Sequence, residues 1–393
     1  MSDIKNEIKK LSQQIFHDVV SYRRHIHQYP ELAFNEFETA AYIRDILSKN
    51  GIETDNSFGD NAVIGIIEGS LPGKTIGLRA DIDALEIIEL NVCEYKSTKS
   101  GIMHACGHDA HAASLLGSAI ILNQLKDRIK GRIILVFQPA EEKNPGGAIG
   151  LIEKGLLTKY NISKMLGQHV SPENETGKFL FGSGLLMAST DELFVSFYGK
   201  GGHAALPHTR SDTVLALVDF ISETMDFQKK LESEFPFIIA FGKIVAEGAV
   251  NVIPDETITH GTMRTLDEDL RKHIKMQLHL IAVKSAKKYN CTSKFEVCAG
   301  YPSLINDEKL TNITKKAAAE FIGIENIKEL KLRMTAEDFA YYSREIPSVF
   351  YRFGVTGNGK GNVNVHNPKF DIDESSLLNS SALMAWLAIE INQ

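Results

Sequence analysis

The sequence predicts an α/β fold: a helix-covered, mainly parallel sheet interrupted by an inserted, ferredoxin-like α+β domain. Three observations carry this expectation. Helical patterns alternate with short apolar runs through the first half of the chain, the order that gives a helix-covered parallel sheet. The middle of the chain follows the order β-α-β-β-α-β, the split arrangement of a small sheet with two helices. After Gly300 long helical patterns return, so both ends of the chain build one domain. The expected boundaries are 1–184 with 297–393 for the larger domain, and 185–296 for the insertion.

The elements follow in order. The start, MSDIKNEIKKLSQQIF, places Ile4, Ile8, Leu11 and Ile15 at helical spacing and lacks the apolar stretch of a signal peptide. Residues 36–50 read as a helix ended by Asn50-Gly51. Residues 62–68 and 75–79 read as strands separated by a Leu-Pro-Gly turn at 71–73. Helix 109–127, strand 132–137, helix 147–155 and strand 164–167 come next. The insertion reads as strand 192–199, helix 211–231, strands 237–246 and 256–264, helix 267–288 and strand 293–299. Residues 257–264 partly alternate, as a sheet with one covered face requires. Helices at 307–322 and 335–345, strand 348–353 and a last helix from about 374 complete the chain.

The composition narrows the class. With 393 residues, 43% hydrophobic and 24% charged, the chain is ordinary globular material for two domains. A formal charge of −7 and no Lys/Arg-rich run argue against a nucleic-acid partner. No segment approaches the roughly 20 apolar residues that span a bilayer. A cytoplasmic location is expected, where Cys93, Cys106, Cys291 and Cys298 serve as thiols or ligands rather than disulfides.

Four expected strands run into residues that can bind a metal, and in open α/β sheets sites form beyond the carboxyl ends of strands. Strand 75–79 leads to Asp81 and Asp83, strand 132–137 to Glu141 and Glu142, and strand 164–167 to His169. Strand 348–353 leads, through a glycine-rich loop at 357–361, to His366. The densest cluster is His104-Ala-Cys-Gly-His-Asp-Ala-His111. Its Gly107 allows a tight turn placing Cys106 and His108 on one ion, and thiolate with imidazole favours a borderline metal such as Zn²⁺. The bland alternative is a helix start capped by Asp109, with His104 and His111 structural. Pro139 should end its strand, so that Glu141 and Glu142 turn into one pocket, one for metal and one for protons. Otherwise they form an acidic surface loop, and His169 and His366 are ordinary histidines. His203, in a glycine-rich stretch, suits a lid loop offering an imidazole to developing charge, or a simple turn. Arg264 suits a carboxylate clamp, or a surface arginine. No phosphate-binding loop, nucleophile elbow or dinucleotide fingerprint is present.

Several motifs occur in order across nearly the whole chain: Arg23-Arg-His-Ile-His27 with Pro30-Glu31, Arg79-Ala-Asp-Ile-Asp-Ala-Leu85, and the 104–111 cluster. Phe137-Gln-Pro-Ala-Glu-Glu142, Gly201-Gly-His-Ala-Ala205 and Ala336-Glu-Asp-Phe339 follow. Together they resemble the dinuclear metallopeptidase family of aminoacylases and glutamate carboxypeptidases, in its amidohydrolase branch of hippurate hydrolases, N-acyl amino-acid deacylases, N-acetyldiaminopimelate deacetylases and plant auxin-conjugate hydrolases. The resemblance implies a catalytic domain interrupted by a lid domain used for dimerisation, hence a homodimer or higher homo-oligomer. It implies two divalent ions per subunit (Zn, Mn, Ni or Co) on Cys106, His108, Glu142, His169 and His366. Glu141 matches the general base and His203 the lid histidine at the oxyanion. Asn251 and Arg264 match substrate-binding positions, and Asp83 the acid that orients a ligand or the base. The implied reaction is hydrolysis of N-acyl (for example N-acetyl or N-benzoyl) amino acids by a metal-activated water. Thr335 departs from the family's small residue after the methionine, which touches pocket shape. The rivals are a dipeptidase or aminopeptidase on the same scaffold, a catalytically silent binding protein, and a thiol redox role for Cys106.

Overall fold

The computed structural model describes residues 2–392, and the chain falls into two compact units. The first comprises Met1–Leu186, Ile305–Leu332 and Asp338–Gln393; the second comprises Met187–Leu304 and Arg333–Glu337.

The first unit holds an eight-stranded sheet. From edge to edge it runs Glu53–Asp55, Val63–Glu68, Lys130–Gln138, Leu71–Asp81, Ile162–Glu175, Ser348–Thr356, Phe179–Phe181 and Ile327–Glu329. The four central strands, from Lys130–Gln138 to Ser348–Thr356, are mutually parallel. Their carboxyl ends therefore open at one end of the sheet. Central parallel strands are covered on both faces and need continuous apolar runs. Residues 133–137 (Ile-Ile-Leu-Val-Phe) supply one, each at 0% exposure. Antiparallel neighbours lie toward the edges.

Helix His108–Gln124 lies against strands Leu71–Asp81 and Ile162–Glu175, with helices Ser2–Gln28 and Ser376–Glu390 packed against it. It is buried from His108 to Leu122, and a helix covered all round needs no polar face. Helix Ser2–Gln28 is amphipathic instead. Ile8 and Ile15 are buried in the core, and Ile4 and Leu11 pack against it, as their spacing predicts.

The second unit has a four-stranded antiparallel sheet in the order Phe237–Val245, Glu256–Thr265, Ser189–Tyr198, Thr292–Ala299. Helices Thr213–Lys230 and Glu268–Lys288 complete the β-α-β-β-α-β chain order. Asp212 and Asp267 cap these helices, their carboxylates accepting from the Leu215 and Leu270 amides. Phe197, Phe220 and Leu217 fill one core cluster, and Leu193, Met263 and Leu278 another.

Several local expectations need correction. Leu71-Pro-Gly is no turn: strand Leu71–Asp81 begins there, with an irregular register between Leu71 and Thr75. The chain turns earlier, where the Gly69 amide donates to Gly131 O. The helix expected at 147–155 forms as Gly147–Glu153, and a second short helix that was not expected, Leu156–Tyr160, follows Gly155 in a left-handed conformation. The helix expected at 335–345 forms only at Ala340–Glu345. The carbonyls of Arg333 and Thr335 accept from the Ala188 amide, and a backbone so engaged does not start a helix.

Candidate metal centre

The strand termini deliver the chemistry. Strand Leu71–Asp81 ends at Asp81, and Asp83 follows two residues on, both buried. Between them and the helix start at His108 lies Gly107, in the left-handed region at φ +90°. A Cβ at that position would meet the Val170 side chain at 2.7 Å, so glycine is required for Cys106 and His108 to turn inward together. On the neighbouring strand, Lys130–Gln138 stops before Pro139, and Ala140 takes φ +56°. This turn carries Glu141, buried at 7% exposure, and half-buried Glu142. His169 is not beyond its strand, as expected, but within Ile162–Glu175, opposite Arg352. His366, itself at φ +63°, hangs from a loop anchored by its amide donating to Ala105 O at 2.7 Å.

These residues converge. Donor atoms of Cys106, His108 and His169 lie within 4.8 Å of one another, as do those of Cys106, Glu142 and His366, and those of His108, Glu141 and Glu142. Two triads thus share the Cys106 sulfur. The Cys106 Sγ to His169 Nε2 separation is 3.5 Å, about the sulfur–nitrogen edge of a tetrahedral site with zinc-like bond lengths. His366 Nε2 lies 3.1 Å from Glu142 Oε1, yet Glu142 Oε1 has no aligned hydrogen-bond partner. His108 Nδ1 faces the carbonyl and carboxylate oxygens of Asp83 at 3.0 and 3.1 Å. It therefore donates there, and Nε2 keeps its lone pair, buried and without a partner. His169 Nδ1 likewise donates to Val170 O at 2.8 Å, turning Nε2 toward Cys106. Unpartnered lone pairs on the His108 imidazole and the Glu142 carboxylate, converging with the Cys106 sulfur, could hold a cation, and the donor set suits borderline divalent metals.

The electrostatics agree. Burial alone would lower the His108 pKa, but Asp81, Cys106 and Asp83 surround it and hold it well above the usual range. The nearness of Cys106 and of the Glu142 carboxylate pushes His366 up to about 10. Such a surplus of negative partners draws in cations, protons or metals alike. Burial, and then Glu142, raises the Cys106 thiol. A fully buried thiol of raised pKa is a poor redox nucleophile, which disfavours the redox reading.

Not every histidine joins. His111 Nδ1 donates to Asp81 at 2.6 Å and Nε2 accepts the Val170 amide at 2.9 Å, so both nitrogens are spent. His104 is buried and burial brings its pKa down to about 3. Sequence reasoning missed the support beneath the donors. Arg79, fully buried, donates to Asp81 at 2.6 Å, Asp338 at 2.6 Å and Gln138 at 3.1 Å. Its signal was the pair of charges, Arg79 and Asp81, at the end of the apolar run Ile76-Gly-Leu78.

The second unit holds the remaining candidates. His203 pairs with Val252 in a two-residue ladder, and the Ala204 amide donates to Asn251 O at 2.9 Å. His203 and Asn251, both exposed, thus share one loop structure. Arg264 is half-buried on strand Glu256–Thr265, opposite Thr190. Burial lowers its pKa, with Asp191 and Glu192 opposing.

A parallel α/β sheet with this donor cluster toward its strand ends marks a protein built to hold divalent metal. Comparison with known proteins narrows it. Residues 77–390 match the family described as Peptidase family M20/M25/M40. The chain is 37% identical over 371 residues to N-acetyl-L-cysteine deacetylase of Bacillus subtilis, covering 92% of this chain and 85% of that protein. It is 34% identical over 394 residues to Thermostable carboxypeptidase 1 of Saccharolobus solfataricus, covering 99% and 98%. Among solved structures, a dinuclear metal-binding peptidase of the same family from Bacillus subtilis superposes with a TM-score of 0.83 at 32% identity, covering 96% and 98%. The chain belongs to peptidase family M20/M25/M40 and is a metal-dependent amide hydrolase. Among the described residues, no helix is long and apolar enough to cross a membrane.

Proposed function

We propose that this protein hydrolyses the amide bond of N-acyl amino acids, such as N-acetyl or N-benzoyl derivatives, to a carboxylic acid and a free amino acid. The convergence of Cys106, His108, Glu142, His169 and His366, with His108 Nε2 and Glu142 Oε1 left without hydrogen-bond partners, carries the reading. These five residues would hold two divalent ions, and Glu141 stands beside them. Bound there, such ions supply Lewis acidity and a water acidified toward neutrality. Glu141 acts as general base, taking the proton of the attacking water and passing it to the leaving amine. Asp83 keeps His108 in the tautomer that leaves Nε2 bare and holds the Glu142 amide. His203 steadies charge on the carbonyl oxygen, while Asn251 and Arg264 secure the substrate carboxylate. A lid role for the second unit and association through it fit this scheme, as do a small-molecule substrate and a cytoplasmic setting.

The likeness to N-acetyl-L-cysteine deacetylase supports the acyl substrate. The likeness to Thermostable carboxypeptidase 1 favours a second reading, in which the acyl part is a peptide. Both require a free carboxylate on the leaving side, so the discriminating variable is the acyl group. A screen of N-acetyl, N-benzoyl and indole-acyl amino acids against dipeptides with free amines, on metal-reconstituted protein, separates them. Preference for blocked amines supports the deacylase; preference for free ones supports a peptidase. Glu141→Gln is expected to abolish turnover with metal content intact, and normal activity in that variant sinks the mechanism.

A further inference from the structure

We infer that Glu36 is a positioning residue for this reaction: from the start of helix Phe37–Lys49 its carboxylate fixes the strained turn that aims Glu141. The inference rests on the reading of Glu141 as the base. Glu36 is fully buried. One oxygen, Oε1, accepts from the Ala140 amide at 2.7 Å and from the Phe34 amide at 3.0 Å. Both donors belong to non-glycine residues in the left-handed region, Ala140 at φ +56° and Phe34 at φ +70°. That conformation is unfavourable for an L-residue and persists only where surroundings impose it. A single carboxylate oxygen therefore holds two strained amides, one of them immediately before Glu141.

The other contacts leave the turn no freedom. Ala140 O accepts from the Gly147 amide at 3.0 Å, and Pro139 has no amide to offer. The Glu142 amide donates to Asp83 at 2.9 Å. Glu36 Oε2 accepts from Asn61 Nδ2 at 3.1 Å, which orients the carboxylate. Glu36 also occupies the N-cap position of its helix without capping it. Glu31 does that work, accepting from the Thr39 amide at 2.8 Å and the Thr39 hydroxyl at 2.9 Å. A residue at an N-cap that leaves capping to a neighbour and reaches across the fold is serving the distant turn. Burial, with the Asp83 charge nearby, pushes the Glu36 carboxyl up to about 7. The amide oxygen of a glutamine can accept the same two bonds.

The test compares Glu36→Ala, Glu36→Gln and Glu36→Asp, the first also in an Ala140→Gly background, reading kcat, KM and metal content. Glu36→Ala is expected to lower kcat about tenfold to a hundredfold, the range for a catalytic group misplaced by an ångström. KM and metal content should hold. Glu36→Gln should recover most of kcat, because its amide oxygen can accept both amides. Glu36→Asp, which keeps charge but loses reach, should stay slow. If Glu36→Ala fails to fold, this Gln-against-Asp order decides alone, and its reversal overturns the inference. In the Ala140→Gly background, where the left-handed conformation carries no strain, the Glu36→Ala loss should shrink several-fold. An undiminished loss there, or metal content falling in step with kcat, also overturns it. Glu141→Gln reports separately: activity in that variant removes the base assignment, whereas the Glu36 outcomes are read with Glu141 present.

Discussion

The two triads that share Cys106 differ in how they are held. Cys106, His108 and His169 are all buried, and both imidazoles are pinned through their far nitrogens, His108 by Asp83 and His169 by Val170 O. Glu142 is half-buried and His366 is exposed, with a side-chain accessibility of 51%. These two are held mainly through backbone amides, Glu142 N by Asp83 and His366 N by Ala105 O. One half of the site is thus preorganised by its core, the other by loop geometry. A catalytic metal site needs this division: fixed ligands on one side and, on the other, room for water and substrate.

Single-ligand deletions break the comparison most sharply. His169→Ala, in the buried half, should remove activity and lower metal content for the whole cluster, because Cys106 loses its near partner. His366→Ala should remove activity while leaving about one ion bound per chain. Each loss should exceed the roughly 10–100-fold effect on metal affinity typical of outer supporting groups. Metal analysis after dialysis against a weak chelator distinguishes them. Equal retention in the two variants contradicts the proposed division.

Asp83 joins the two halves, with Oδ1 at His108 Nδ1 and Oδ2 accepting the Glu142 amide. Asp83→Ala should therefore loosen both, weakening metal affinity about 10–100-fold while leaving the fold intact. Competition titration with a chromophoric chelator measures it. A loss confined to one of the two bound equivalents would place Asp83 in one half only.

Much of this site was legible from strand ends, and the reason is topological. In a parallel sheet the carboxyl ends open together, so Glu141, Glu142 and Asp83 could be placed from apolar runs alone. Gly107 between Cys106 and His108 announced the turn. What was illegible depends on contacts distant in sequence. Glu36 meets Ala140 across 104 residues, and no periodicity marks that pairing. The apolar run ends at Gly167, before the strand does, so the sequence hides that His169 lies within the strand. The strand continues as Val170 and Ser171 pair with Phe353 and Gly354. The helix expected from 335 failed because its backbone carbonyls serve Ala188. A helical pattern in sequence cannot reveal that claim.

The smallest effect concerns what lies behind the buried half. Asp109, one residue after His108, accepts from Arg23 Nε at 2.7 Å and from His27 Nδ1 at 2.8 Å. His27 Nε2 faces Glu89 at 3.2 Å. An imidazole between two carboxylates donates from both nitrogens only when protonated. Burial and the Arg23 charge lower its pKa, but Asp109 and Glu89 prevail and raise it above the ordinary 6.5. The sign follows from linkage. A raised folded-state pKa contributes stability that is full below pH 6.5 and fades as pH rises through the folded value. Wild type should therefore lose stability through this group as pH rises above 6.5, whereas His27→Gln should show a flatter profile and lower stability at pH 6. The deficit expected is about 1–3 kcal/mol, the scale of one hydrogen bond to a buried charge. Denaturant midpoints of metal-free wild type and variant at several pH values read it, the difference between the two cancelling the titration of the site histidines they share. A His27→Gln profile parallel to wild type would mean that the Arg23–Asp109 pair alone supports the helix start behind His108.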